Sequence, residues 1–423
     1  MKITVWGINY DPEPTGIGPF NTDMCVYLAE QGHAVTMIST FPYYPWWKKP
    51  ADAEGKWFER SVIRGVKLFR CWHYVPAKPS TLKRLIHELS FLASSTGRAH
   101  FLPAPDVYIV VSPPLFLGIG AFFISRLKRR PFIFHVQDLQ PDAALGLGMI
   151  KPGPSVKALY ALEKWNYSMA AAVSGICGGM LDAFARKRVP GRKIILFPNW
   201  IPDASAPKPA TPSASSFREH YGISRETPLI AYSGNVGMKQ GLEIVIEAAA
   251  LGKLKKDLAS AFHWAICGEG AAKPALEKMI HDQTLEAAVH LYPLQPDDRY
   301  QSLLRETDIS LITQQRGTGQ FFFPSKLLSI LQFGRPVLAV ADACSELARA
   351  VESGRFGLVV EPGDAAALLA AAETILAACA EQKAEWAANG RAWVDQFRRS
   401  RVLGQFTQQL AAIAERRALP SSV

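Results

Sequence analysis

Short apolar runs alternate with longer stretches of helical periodicity along most of the chain. Residues 3–8 read as a buried strand. A loop with Gly16 and Gly18 follows, then a helical pattern over 21–31 that Gly32 ends, and AVTMIST (34–40) reads as the next strand. This order predicts a β-loop-α-β unit, the opening of a doubly wound sheet. Further strands are predicted at 67–72, 107–111, 132–136, 172–176 and 194–197. The periodicity breaks in NWIPDASAPKPATPSASS (199–216), where Pro, Ala and Ser mark a linker. It restarts with the strand PLIAYSG, the loop NVGMKQG and a helix from Leu242, then strands at 263–267, 289–292, 309–313, 337–340 and 358–360.

The expected fold is α/β, with two doubly wound Rossmann-like domains facing across a cleft. The boundaries are 1–200, a linker at 201–216, 217–400, and a final helix in 401–423. That helix and the pattern at 364–380 are expected to pack back across the hinge.

Residues 107–125, VYIVVSPPLFLGIGAFFIS, carry no charge and meet the first test for a membrane span. Pro113-Pro114 divides them, so a strand, a turn and a buried helix over 115–127 account for them better. The N-terminus runs straight into a strand, without the pattern of a signal peptide. Six cysteines (Cys25, Cys71, Cys177, Cys267, Cys344, Cys379) stand singly, which predicts reduced, buried residues of a cytosolic protein and neither a disulfide framework nor a zinc site.

Charge divides unevenly. Residues 1–202 hold 24 Lys/Arg and 13 Asp/Glu, a net of +11, and the remainder is close to neutral. A basic half predicts an anionic partner, either nucleic acid or a phosphate-rich membrane face. No nucleic-acid module is recognisable, and the basic residues are interleaved with apolar helix faces. Residues 80–93, STLKRLIHELSFLA, place Leu82, Leu85, Ile86, Leu89 and Phe91-Leu92 beside Lys83, Arg84 and His87, with Trp46 and Trp47 in the preceding segment. The pattern suits an interfacial helix or one packed on a core.

Candidate chemistry gathers at loops that follow strands. Gly16-Ile17-Gly18 lacks the spacing of a full dinucleotide fingerprint and reads equally as a tight turn. Gly234, Gly237 and Gly241 let backbone N–H groups turn inward while Lys239 adds charge, and Gly268-Glu269-Gly270 repeats the arrangement. Ser325 reads as the N-cap of a helix over 326–333, with Lys326 beside its unpaired N–H groups. That is an anion site if the lysine turns inward and an ordinary solvated lysine if it does not. PDDR at 296–299 reads as a helix start, and no Asp-x-Asp motif is present.

The order of YDPEPTGIGPFNTDM, DVYIVVSPPLFLGIGAFFISRLKRRPFIFHVQDLQPD, LFPNW, SGNVGMKQGLE, CGEG and PSKLLSILQFGRPV resembles the GT-B fold glycosyltransferases of family 4, in the exopolysaccharide branch that includes colanic acid transferases. The resemblance spans nearly the whole chain. It implies a metal-independent, cofactor-free retaining transfer from a UDP- or GDP-sugar to a polyprenyl-diphosphate-linked saccharide, by a peripheral enzyme at the cytoplasmic face of the membrane.

The implied donor site draws on Gly234, Asn235, Lys239, Gln240, Gly268, Glu269, Gly270, Ser325, Lys326, Leu327 and Ser329. Asn235 stands where many relatives have a diphosphate-binding arginine, and Lys239-Gln240 covers the position of their lysine. The family's paired acids fall on Phe321 and Ser329, so both carboxylates are missing. On the acceptor side the family's His-Asp becomes Gln137-Asp138, which makes Asp138 the implied catalytic-face carboxylate and Gln137 a sugar-positioning amide. Asp138 also reads as a turn residue, and His135 as a core histidine. A nucleotide-sugar epimerase or hydrolase, a nucleic-acid-binding protein and an NAD-dependent oxidoreductase are the competing readings.

Overall fold

A computed structural model describes residues 1–146, 153–203, 216–254, 262–317, 319 and 325–415. The chain divides into two compact units: Met1–Trp200 with the segment from Arg399, and Ile201–Arg398. Most of the expected linker lies outside the described residues.

Among the described residues, eight strands form the first unit's sheet: β1 Lys2–Trp6, β2 Ala34–Thr40, β3 Phe58–Ile63, β4 Val66–Cys71, β5 Val107–Ser112, β6 Phe132–Val136, β7 Ala172–Gly175 and β8 Ile194–Leu196. Their order is β3-β4-β2-β1-β5-β6-β7-β8, parallel throughout except for the β3/β4 hairpin. The central strands are apolar runs because helices cover both faces; every residue of β5 is buried. The uncharged 107–125 stretch is thus a core strand followed by the helix Leu117–Lys128. No single helix among the described residues is long and apolar enough to cross a membrane.

One element was not expected. β3 pairs antiparallel with β4 across Arg64-Gly65, both at positive φ (49° and 81°), as a two-residue hairpin turn requires.

The final helix, Arg399–Glu415, belongs to this first unit. Val402, Leu403, Phe406 and Leu410 enter the core around Ile3, Val5 and Met37. The Phe406 ring stacks on Phe197 at 3.6 Å between centroids and 6° between planes. Arg399 Nε donates to Asp23 (2.9 Å) and Nη2 to Glu30 (3.0 Å). Burying Phe406 in this way contributes on the order of 2–3 kcal/mol.

The second unit's sheet contains β9 Leu229–Ser233, β10 His263–Cys267, β11 Val289–Tyr292, β12 Ile309–Thr313, β13 Val337–Val340 and β14 Gly357–Val360, all parallel, in the order β11-β10-β9-β12-β13-β14. The order reverses between β9 and β12, where such sheets open a crevice at the carboxyl ends of their strands. The helix Ala365–Ala377 packs within this unit, with Leu368, Leu369, Ala372 and Ile375 in the core beside Ile244 and Val245, and does not cross a hinge. Four cysteines are buried as expected, but Cys344 and Cys379 are exposed; all six are free thiols.

Candidate active site

In the second unit, three loops meet beyond β9, β10 and β12. The Gly234 N–H donates to the Cys267 carbonyl (2.8 Å), Val236 to Glu269 (2.9 Å), Ala272 to Val236 (3.0 Å) and Gln315 to Lys239 (2.9 Å). Glycine is required where these loops touch: a Cβ on Gly268 would lie 1.8 Å from the Gly234 carbonyl oxygen, and one on Gly270 would lie 2.1 Å from that of Val236. Gln240 folds back on its own turn, its Oε1 accepting from the Gly237 N–H (3.1 Å). Asn235 and Glu269 are exposed, Glu269 pairing with Lys273 at 2.8 Å, while Lys239 is half-buried.

Lys326 enters this loop cluster from the second position of the helix Ser325–Gln332. Ser325 is the first residue of that helix. The lysine turns inward: a Cβ on Gly234 would stand 2.2 Å from its Cε and Nζ. Its ammonium donates to Tyr232 Oη (2.7 Å), which in turn donates to the Asn235 carbonyl (2.7 Å). Burial lowers the Lys326 pKa to about 7, with the Lys239 charge adding to the effect. An inward cation that lies beside another cation and finds a phenol as its hydrogen-bond partner is poised for an anion.

Two implied donor residues face elsewhere. Leu327 is fully buried among Leu304, Ile312 and Leu331, so it belongs to the core and not to a ligand surface. Ser329 hydrogen-bonds Tyr300, so part of its hydrogen-bonding capacity is engaged within the unit. Phe321 lies outside the described residues.

In the first unit, Ile17 precedes the helix Gly18–Glu30, and Gly16 takes φ +71° against the Tyr44 ring. The loop is organised by Glu13, which sequence reasoning passed over. Its buried carboxylate accepts from the Tyr43 and Tyr44 N–H groups (2.9 Å each) and from Asn9 Nδ2 (2.7 Å). Burial raises its pKa against these bonds. An acid between two prolines at the end of a strand was the available signal.

Gln137 and Asp138 follow β6, and the structure separates them. Gln137 is buried, its amide nitrogen donating to Asn199 Oδ1 (3.2 Å) and His135 Nε2 (2.8 Å). Burial lowers the His135 pKa to about 3, so the ring is neutral and its Nδ1–H donates to Ser174 Oγ (2.9 Å). His135 is thus the core histidine anticipated, and Gln137 braces it, with an amide turned inward where a sugar contact was expected.

Asp138 is half-buried near Tyr44, whose phenol is raised chiefly by burial, opposed by Arg84 and reinforced by Glu13 and Asp138. Glu88 is raised to about 7 by burial, against a hydrogen bond with Gln140 and the Arg84 charge. Sequence reasoning missed Glu88 because it is a lone acid on a helix facing the wrong way for its apolar stripe. Asp138 beside Tyr44 and Glu88 against Gln140 place two carboxyls around the polar end of β6.

The comparisons with known proteins agree with this geometry. A family model described as "Glycosyl transferase 4-like domain" matches residues 15–200, and "Glycosyl transferases group 1" matches 214–393. The chain is 36% identical over 381 residues to the putative colanic acid biosynthesis glycosyl transferase WcaI of Escherichia coli (strain K12), covering 88% of this chain and 91% of that one. Among solved structures it resembles sucrose-phosphate synthase from Thermosynechococcus elongatus (TM-score 0.75, 17% identity, 97% and 99% of the two chains). It also resembles Anabaena HepE in complex with UDP and glucose (TM-score 0.70, 16% identity, 97% and 100%). With two Rossmann-like units, glycine loops at the second unit's switch point and a full-length relative at this identity, the chain belongs to the GT-B fold glycosyltransferases of family 4.

Proposed function

We propose that the protein moves a sugar from a nucleotide-sugar donor to a saccharide carried on a polyprenyl diphosphate, with retention of anomeric configuration, in the assembly of an exopolysaccharide at the inner face of the cytoplasmic membrane. The observation that carries the donor half is Lys326, turned inward against Gly234 at the edge where β9, β10 and β12 end. As the sugar–phosphate bond stretches, negative charge builds on the leaving diphosphate. Lys326, Lys239 and the N–H groups of the 234–241 loop are the groups that would stabilise it, with no metal ion or cofactor in the scheme. The HepE structure contains UDP, which makes UDP-sugars the first donors to test. Asp138 is the carboxylate assigned to the acceptor; the exopolysaccharide setting follows the colanic acid role in the name of the Escherichia coli relative, and the lipid-linked saccharide follows the family resemblance of the sequence.

A panel of UDP-, GDP- and ADP-sugars, scored by released nucleotide and by binding, tests the donor half. Lys326→Ala and Lys239→Ala should each lower kcat/KM by about 2–4 kcal/mol in transition-state terms. Unchanged turnover in both variants refutes the assignment.

The membrane half rests on the helix Thr81–Phe101. His87, Phe91, Ser95 and Ala99 form its inward face, while Leu82, Leu85, Ile86 and Leu89 are 37–66% exposed beside Lys83 and Arg84. Trp46 is 74% exposed, and the Arg84 guanidinium lies over the Trp47 ring at 5.3 Å. A solvent-facing apolar stripe with basic flanks matches an anionic interface, each Lys/Arg near it contributing about 1 kcal/mol. Vesicle flotation should show salt-sensitive binding to anionic lipid that weakens when Lys83 and Arg84 are neutralised. Equal recovery with neutral vesicles at every salt concentration refutes the reading.

A further inference from the structure

The first unit carries a concavity of about 410 Å³ at the opposite end of its strands from Gly16 and Asp138. Strand register builds it. Thr4 stands beside Thr36, Thr36 beside Lys67, and Arg60 opposite Phe69, so these side chains alternate onto one face of the sheet together with Lys2. Arg98 closes the space from the helix above. Its guanidinium lies 4.6 Å from the Phe69 ring centroid, and its buried Nε has no hydrogen-bond partner among the described residues.

Four cations, Lys2, Arg60, Lys67 and Arg98, line the space, and no carboxylate does. Among the described residues no salt bridge or side-chain hydrogen bond involves any of the four. Asp106, next to the lining residue Pro105, accepts from the Lys2 backbone amide (2.7 Å) and lies 3.8 Å from Arg130, outside the set.

We propose that this concavity is a binding site for a phosphate-bearing small molecule, of the size of a sugar phosphate or nucleotide, separate from the candidate active site. Lys2, Arg60 and Lys67 reach this space from exposed positions and Arg98 from a half-buried one. A dianionic phosphate among them gains charge-assisted hydrogen bonds, which are about twice as strong as neutral ones. The threonine hydroxyls of the floor add acceptor and donor capacity, while Phe69 and Leu102 offer an apolar wall to the remainder of the ligand. The volume falls in the range of small-ligand sites, about 300–1,000 Å³. The same phosphate chemistry is presented by a free metabolite and by the headgroup of phosphatidic acid.

Inorganic pyrophosphate is the probe, titrated calorimetrically into the full chain. Because pyrophosphate also suits the donor loops, the titration is made in a Lys326→Met background, where loss of donor binding leaves this site intact. Adding Arg60→Gln and Lys67→Gln to that background should weaken the remaining binding by about tenfold or more. Nucleotide release from the donor sugar should be unchanged when these two substitutions are made in the wild-type chain. A second variant, Arg98→Gln, with its thermal melt recorded, guards against misfolding as the cause.

A parallel arm measures co-sedimentation with phosphatidylcholine vesicles with and without phosphatidic acid. Capture that requires phosphatidic acid and is lost in Arg60→Gln/Lys67→Gln supports the site with the lipid headgroup as its source. Pyrophosphate affinity and vesicle capture that are both indifferent to the two substitutions overturn the proposal. Loss of donor activity in Lys326→Met with this binding retained separates the two sites.

Discussion

Lys326→Met should abolish a proton that the wild-type protein takes up when it binds its donor. Burial holds this lysine at about 7 in the empty protein, against 10.5 for an ordinary lysine. A diphosphate placed against Nζ favours the charged form and returns the pKa toward the solvated value. The gap of about 3.5 units corresponds to at most about 5 kcal/mol of coupling between proton and donor. At pH 8 the empty protein holds the proton in about one molecule in ten, so binding takes up about 0.9 of a proton; at pH 6 the uptake falls to about 0.1. Donor affinity therefore declines by roughly tenfold per pH unit above about 7.

The assay is titration calorimetry with the intact nucleotide-sugar, whose diphosphodiester does not titrate in this range, in buffers of different ionisation enthalpy. Heats at pH 8 that are independent of the buffer, or the same uptake in Lys326→Met, refute the reasoning. The linkage extends to stability. The unfolded chain holds this proton between about 7 and 10.5 and the native chain does not, so this group's contribution to stability rises with pH across that window and vanishes in Lys326→Met.

Three further outcomes are expected. Gly234→Ala puts a Cβ 2.2 Å from Lys326 Nζ at φ +140°, so donor binding should fall at least as far as in Lys326→Ala, measured by the same calorimetry. Asp138→Asn should keep donor binding while lowering transfer; a loss of folding, read by circular dichroism, would assign Asp138 to the turn alone. Glu13→Ala leaves the Tyr43 and Tyr44 N–H groups and the Asn9 amide without their carboxylate, and should cost about 2–4 kcal/mol in denaturant unfolding, with rescue by Glu13→Gln only partial.

The central parallel strands were legible because they are apolar runs buried on both faces, and the glycine loops because their spacing announces close backbone approach. β3 was not, since an edge strand that alternates exposed and half-buried residues looks like loop without its partner; Arg64-Gly65 was the clue. The stripe on the helix Thr81–Phe101 gave its periodicity but not its direction. Leu82, Leu85, Ile86 and Leu89 face solvent there, while Phe91 shares the inner face with His87 and Ser95. Lys326 could be picked out beside a helix start, but its bond to Tyr232 spans 94 positions of chain, and no local pattern contains it. Leu327 and Ser329 were carried over by motif position, and their surroundings in the core and at Tyr300 depend on packing that position alone does not specify.

The return of the chain at Arg399 also bears on how the protein is made. Residues 201 to 398 form one uninterrupted unit whose two ends lie side by side, the Ile201 N–H donating to the Phe397 carbonyl (2.9 Å) and Ile201 bridging Arg398. The other unit is discontinuous and receives Phe406 from near the end of the chain. During synthesis the later unit can therefore finish folding while the earlier one still waits, its stacking surface at Phe197 uncovered until the last helix leaves the ribosome.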